Sequence, residues 1–198
     1  GFSDLANGRK ELREVKRMFK RSDPLDQERT FGRDEIIVSK TDLKGRMTYV
    51  NRVFCKVAGF TEMELIGKPH NIIRHPDMPG GAFKLLWERI QAGHEIFAYV
   101  KNLCKDGCYY WVLAHVTPTF DGQGNIVGYH SNRRVPAPEA VAAASALYQK
   151  TLEVERRFAN PKKAAEAGLQ FLAQQVENSG FSCYDEFVFS IINQRRAA

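Results

Sequence analysis

The most distinctive stretch of this sequence is Gly67-Lys-Pro-His-Asn-Ile-Ile-Arg-His-Pro-Asp-Met-Pro79. Its three prolines fix φ and stop helices, which predicts a shaped loop with short helical turns. Polar side chains held on a stiff loop beside a sheet commonly line ligand pockets. The spacing is equally compatible with an alternative in which His70, Arg74 and Asp77 only satisfy one another and cap a helix.

A hairpin and short helices precede this loop. The predicted elements, in order, are a strand at 35–39, a turn at 41–45, a strand at 46–51 and a helix at 52–58. Asn51 is a suitable N-cap for that helix, and Gly59 a suitable end. Thr61 followed by Glu64 has the spacing of a capping box and predicts a second short helix.

A longer helix and three strands follow the loop. The predicted elements are a helix at 81–92 and strands at 96–103, 108–120 and 126–135. Asp106-Gly107 and the stretch 121–125 are turn signals between these strands, and they favour hairpins over parallel crossovers. The sequence therefore predicts an α+β fold with one five-stranded antiparallel sheet and short helices on one face.

Both ends of the chain have helical patterns. Apolar residues at three- and four-residue spacing predict an amphipathic helix at 4–21, whose stripe must pack on its own domain or on a second copy. Proline and alanine patterns predict further helices at 139–158, 162–177 and 183–193. We therefore divide the chain into an N-terminal helical cap (1–30), a sheet domain (31–136) and a C-terminal helical extension (137–198).

Composition excludes several classes of protein. The net charge is +6, but the basic runs near both ends lie on predicted helices that also carry acids, so we expect no nucleic-acid binding. No apolar run approaches the ~18 residues of a membrane span, and no signal peptide is evident, which predicts a cytoplasmic protein. The four cysteines form no CxxC pair and are expected to be free thiols.

The sequence also lacks the signatures of common enzymes. No Ser-His-Asp set occurs with a supporting motif, and there is no phosphate loop and no kinase or cyclase signature. We therefore predict a protein that is not an enzyme.

Several motifs together resemble a known family. They are Tyr49-Val-Asn-Arg-Val-Phe54, Gly59-Phe-Thr-Glu-Met-Glu-Leu-Ile-Gly67, Tyr109-Tyr-Trp-Val112 and the string from Lys68 to Pro79. From Glu35 to about Val135 the chain resembles a PAS domain, and the string from Lys68 to Pro79 is similar to that of the aerotaxis-receptor type.

This resemblance implies a sensor that binds FAD without covalent attachment and reports its redox state to a chemotaxis signalling module. The cofactor-binding residues that it suggests are His70, Asn71, Arg74, His75 and Asp77 in the loop, Trp87 in the helix, and Ile96 and Trp111 in the sheet. A guanidinium can pair with a pyrophosphate, a His can donate to a flavin carbonyl, and an Asn amide can both donate and accept.

One position departs from the family pattern. The family commonly has a Trp where this chain has Ile96, at the start of the strand after the long helix. Phe97 is adjacent, but successive strand residues point to opposite faces, so it cannot replace that Trp in the same register.

We therefore predict a cytoplasmic PAS sensor of redox state or oxygen that binds FAD and signals to a partner such as a chemoreceptor. We expect a homodimer formed through the helix at 4–21. The alternatives are a ligand-free PAS interaction module, which Ile96 favours, and a haem-binding gas sensor with His115 or His130 as the axial ligand.

Overall fold

The computed structural model describes residues 22–182 and 184–194, which contain five strands, six α-helices and one 3₁₀ helix. The strands are β1 (Ile37–Thr41), β2 (Met47–Val50), β3 (Ile96–Leu103), β4 (Tyr109–Phe120) and β5 (Ile126–Arg134). The helices are α1 (Arg52–Ala58), α2 (Glu62–Leu65), α3 (Gly80–Gln91), α4 (Pro138–Glu155), α5 (Pro161–Asn178) and α6 (Tyr184–Gln194), with the 3₁₀ helix at His70–Ile73. The predicted helix at 4–21 lies outside the described residues.

The five strands form one antiparallel sheet in the order β2-β1-β5-β4-β3, which confirms the predicted fold class. Ala114 of β4 pairs with Ala98 of β3 and with Arg133 of β5. Because strand residues alternate between faces, even positions of β3 and β4 share a face with odd positions of β1 and β5. The first strand begins two residues later than predicted and extends to Thr41, because its last residues pair with β5.

Local capping signals act as the sequence predicts. The Asn51 side-chain oxygen accepts from the amide of Phe54 at 3.0 Å and from that of Val38 at 3.1 Å, and its Nδ2 donates to the carbonyl of Ile36. The Asn51 side chain thus caps α1 and also connects this helix to Val38 in β1 and to Ile36 just before it. Thr61 and Glu64 complete the predicted capping box at the start of α2.

Replacing Asn51 by Ala should lower the free energy of unfolding by about 1–2 kcal/mol, because it removes an N-cap and leaves backbone groups of a neighbouring strand unpaired. Chemical denaturation measures this loss. Asn51→Ser keeps a side-chain oxygen that can cap α1 but lacks the amide that reaches Ile36, so it should be less destabilising than Asn51→Ala; equal losses in both variants would contradict a capping role.

The proline-rich loop wraps one edge of the sheet. After the 3₁₀ helix, Arg74 forms a backbone bridge with Asn102 of β3. The sulfur of Met78 then accepts from the amide of Lys101 at 3.3 Å. The loop therefore covers β3, which is an edge strand that would otherwise have unpaired backbone groups.

The C-terminal extension holds the start of α3. The carboxylate of Glu155, the last residue of α4, accepts from the amides of Gly80 and Gly81 at 2.9 and 2.7 Å. These are amides that a helix cannot pair internally, and a negative charge is favourable beside them. A Cβ at Gly81 would lie 2.3 Å from the backbone nitrogen of Leu169 and 2.4 Å from the carbonyl carbon of Gly168, so α3 and α5 cross backbone to backbone.

The extension also packs on β3 and β4. The buried hydroxyl of Tyr148 donates to the carbonyl of Tyr99 at 2.8 Å and lies 2.8 Å from the Tyr184 hydroxyl. Its ring stacks on that of Trp111, with centroids 6.4 Å apart. Helix α3 therefore lies on one face of the sheet, and Tyr148 of α4 lies against Trp111 on the other face. The C-terminal extension and the sheet domain share one hydrophobic core. The division of the chain into three parts therefore stays a prediction.

Candidate ligand cavity

A cavity of about 410 Å³ lies between the sheet and the segment that contains the 3₁₀ helix and α3. This volume is within the range of small-molecule sites. Its apolar lining residues are Ile73, Phe83, Leu86, Trp87, Ile90, Val100, Ala114, Val116 and Tyr129. Its polar lining residues include Ser39, Thr41, His70, Asn71, Arg74, Asn102, Ser131 and Arg133.

Helix α3 supplies one apolar wall. Phe83, Leu86, Trp87 and Ile90 recur at helical spacing and all contribute to the lining. The Trp87 ring meets that of Tyr129 edge to face, with centroids 5.5 Å apart. A Cβ at Gly45, which has a φ of 74°, would come within 2.9 Å of the Trp87 ring. Trp87 thus lies directly against the β1–β2 turn.

His70 is half-buried and neutral. Its Nε2 lies 3.3 Å from the hydroxyl of Ser39. Burial, together with the charge of Arg133, lowers the pKa of His70 from 6.5 to about 3. The unfolded chain therefore binds a proton here that the folded chain does not, so the contribution of His70 to stability falls as the pH drops from 6.5 towards 3. Near neutral pH, this His is a hydrogen-bonding group without charge.

Arg133 is a buried cation in the cavity wall, with a relative exposure of 2 %. Its Nη2 donates to Ser39 Oγ at 2.5 Å, and its Cζ lies 4.4 Å from the centroid of the Phe54 ring. Within the described residues, Nε and Nη1 have no hydrogen-bond partner. Burial lowers the pKa of Arg133 to about 10, so the group remains charged near neutral pH. Arg133 is not among the residues predicted from the sequence, although its alternation with Tyr129 and Ser131 is a signal that places it on their face.

Arg74 also lines the cavity, but it does not pair with Asp77. Its Nη2 donates to the carbonyl of Met78 at 2.9 Å, and its Cζ lies 4.4 Å from the centroid of the Phe83 ring. Burial lowers the pKa of Arg74, and the charge of Glu155 partly opposes that effect. The hydrogen bonds therefore do not support the alternative in which His70, Arg74 and Asp77 satisfy one another.

The structure brings four of the eight predicted site residues together. His70, Asn71, Arg74 and Trp87 line the cavity, whereas the other four lie outside its lining. His75 is buried with its ring on that of Tyr109, and Asp77 binds Lys101 Nζ at 2.6 Å. Ile96 lines a second, much smaller pocket together with Leu86 and Tyr148. Trp111 stacks on Tyr148 and lies on the opposite face of the sheet from Ala114. All eight assignments stay predictions, and the geometry favours the first four.

The two histidines of the haem alternative have different surroundings. His115 alternates with Ala114 onto the other face, where its Nε2 lies 2.6 Å from Glu95 and its ring stacks on Phe97. His130 borders the cavity, with its Nε2 3.0 Å from Asn132 Oδ1. No cluster of three or more potential metal ligands occurs among the described residues.

Two further predictions from the sequence concern the cysteines and membrane-spanning helices. Cys55, Cys104 and Cys108 are free thiols, as predicted, and Cys183 lies outside the described residues. Across the described chain, every helix is too short or too polar to cross a membrane.

Comparison with known proteins identifies the cavity-containing region. Residues 47–133 match the model of the PAS-fold family. This part of the chain is a PAS domain. The chain is 41 % identical over 116 residues to the aerotaxis receptor of Escherichia coli (strain K12), an alignment that covers 59 % of this chain and 23 % of the receptor. The predicted similarity to the aerotaxis-receptor type is thereby confirmed.

Other similar proteins are a biofilm dispersion protein and, among solved structures, a blue-light photoreceptor. The biofilm dispersion protein BdlA of Pseudomonas aeruginosa is 28 % identical over 92 residues, which are 43 % of this chain and 21 % of that protein. The light-state structure of the blue-light photoreceptor Aureochrome1 LOV has a TM-score of 0.52 at 20 % identity, covering 56 % of this chain and 88 % of that one, and it supports the fold alone. The chain spans about a fifth of the length of these curated relatives. The match to the PAS-fold family and the similarity to an aerotaxis receptor agree with the prediction of a signalling module.

If FAD occupies this cavity, replacing Arg74 by Ala should weaken its binding by about tenfold or more, because the change removes a cation that lines the cavity. Asp77→Ala tests a second predicted residue of the same loop, whose carboxylate binds Lys101 outside the cavity lining, so a smaller loss than in Arg74→Ala would separate the cavity contact from the loop. Titration of the apoprotein with FAD measures both. Equal losses in the two variants would show that the loop, and not the cavity contact, determines affinity.

Proposed function

We propose that this chain is a cytoplasmic sensor of redox state or oxygen that binds FAD non-covalently in its PAS cavity. It signals through protein contacts to a signal-transduction partner such as a chemoreceptor, and it acts as a homodimer through the segment 4–21, for which the sequence predicts a helix. The observation that carries this proposal is a cavity of about 410 Å³ with an extended apolar wall and two arginines. The similarity to an aerotaxis receptor supports it.

The residues present fit a flavin. An isoalloxazine ring has apolar faces and one edge of carbonyl oxygens and ring nitrogens, and the cavity combines an apolar wall with the amides of Asn71 and Asn102. Arg133, whose Nε and Nη1 have no partner among the described residues, supplies positive charge in the same wall. Arg74 is the candidate partner of a pyrophosphate. When bound, the flavin would supply reversible redox chemistry.

Helix α3 is the candidate transmission element. It lines the cavity with four side chains and is held at its first amides by Glu155 of the C-terminal extension. Arg89, near its other end, binds Asp185 of α6 at 2.7 Å. A ligand state that shifts the packing of α3 therefore acts directly on the extension, provided that the ligand interacts differently with the two arrangements.

The first experiment is an absorption spectrum of the purified chain, with release and identification of any chromophore and addition of FAD to colourless protein. A two-band flavin spectrum that bleaches on reduction is the expected result. A Soret band would replace the proposal with the haem sensor and direct attention to His130, which borders the cavity. Protein that is colourless and takes up no FAD would point to the ligand-free interaction module.

A further inference from the structure

We propose that Arg133 makes this cavity select the reduced, anionic form of a bound flavin over the oxidised, neutral form. This inference rests on the proposed function and assigns a redox-specificity role to one side chain. The guanidinium is part of the cavity wall, and its exposure of 2 % means that little water screens its charge.

The charge of Arg133 is not neutralised by an acid. Among the described residues it forms no salt bridge, and its one hydrogen bond is to the uncharged hydroxyl of Ser39. His70 is neutral, and burial raises the pKa of Tyr110, which is neutral as well. The cavity wall therefore carries a positive potential that a neutral ligand leaves uncompensated.

The second cation of the lining, Arg74, is the candidate partner of the pyrophosphate, so the potential at the flavin ring is assigned to Arg133. Arg74 stacks on Phe83 and is partly opposed by the carboxylate of Glu155, which the amides of Gly80 and Gly81 also stabilise. Glu155 is therefore engaged at the start of α3, and the charge of Arg133 has no acidic partner among the described residues.

Reduction of a flavin can place a negative charge where this potential acts. Two electrons from a soluble reductant and one proton from solvent convert the neutral oxidised ring to an anion, with the proton on N5 and the charge shared by N1 and the adjacent carbonyl. A buried positive charge nearby favours that anion over both the oxidised ring and the doubly protonated reduced ring. The bound ring should then take up one proton for every two electrons.

The test is spectroelectrochemical titration of the FAD-loaded chain, with dithionite as an independent reductant. Arg133→Met should lower the preference for reduced over oxidised FAD by about tenfold or more, which for two electrons lowers the midpoint potential by about 30 mV. Arg133→Lys keeps the charge and should stay close to the wild type. Arg134→Met is the matched control, because it removes the same charge from the adjacent, exposed residue on the other face of β5.

A second measurement needs no variant and decides the question if Arg133→Met does not fold. In mildly acidic buffer, where reduced flavin in water holds a proton on N1, the potential of the wild-type chain should fall by about 30 mV per pH unit, the value for one proton per two electrons. His70, with a pKa of about 3, does not titrate in that range. A slope of about 59 mV, or a wild-type potential in Arg133→Met, would overturn the role of Arg133 while leaving flavin binding intact. A chain that takes up no FAD would overturn both proposals.

Discussion

Gly81→Ala is expected to destabilise the protein by about 2 kcal/mol or more, although alanine is the better helix former by about 1 kcal/mol. The added Cβ would lie 2.3 Å from the backbone nitrogen of Leu169 and 2.4 Å from the carbonyl carbon of Gly168. Backbone atoms cannot rotate away as a flexible side chain can, so α3 and α5 must separate. Thermal unfolding should show a midpoint lower by roughly 4–8 °C for a chain of this size.

Two other glycines provide the comparison for Gly81. At Gly122 a Cβ would meet nothing within 4 Å, so Gly122→Ala should be nearly neutral. At Gly168 the nearest atom is Oε1 of Glu155, so Gly168→Ala should move that carboxylate away from the start of α3 instead of separating the helices. An unchanged midpoint in Gly81→Ala would mean that the two helices do not cross at this glycine in solution.

Ala114→Leu should weaken binding of added FAD by about 100-fold while leaving the fold intact. Ala114 is a small, buried residue in the centre of the cavity-lining face of the sheet. A leucine side chain at position 114 would extend into the cavity and occupy volume that a ligand needs. Because that volume is empty of protein atoms, the change should not overpack the core. Calorimetric titration with FAD and a thermal melt measure the two effects separately.

The control for Ala114 lies on the same strand. Thr119→Leu adds apolar bulk at an exposed position near the end of β4 and should leave FAD affinity unchanged. Wild-type affinity in Ala114→Leu, with an unchanged melt, would place the ligand somewhere other than this cavity.

Local chemistry made much of the fold predictable. Turn signals, the Asn51 cap and the Thr61–Glu64 box depend on residues close in sequence, and the structure contains all of them. The crossing of α3 and α5 was not predicted, since Gly81 and Gly168 are far apart in the sequence and no local pattern links them. The capping of α3 by Glu155 is a non-local contact of the same kind.

The site was predictable only in part, for a related reason. The loop motif led to His70, Asn71 and Arg74, which line the cavity. Arg133 was missed because strand alternation divides the residues of β5 between two faces without showing which face lines the cavity. The face is determined by the register in which β5 pairs with β4. The same cross-strand register places Trp111 on the face away from the cavity.

The positions of the two tryptophans provide an intrinsic pair of optical reporters. Trp87 lines the cavity, whereas Trp111 stacks on Tyr148 of the C-terminal extension. Since the chain has only these two tryptophans, replacing either by Phe leaves a single tryptophan emitter, which excitation near the red edge of indole absorption separates from the tyrosines. Fluorescence from Trp87 would then follow occupancy of the cavity, and fluorescence from Trp111 would follow the docking of the extension. Input and output could thus be recorded in one molecule without an attached dye.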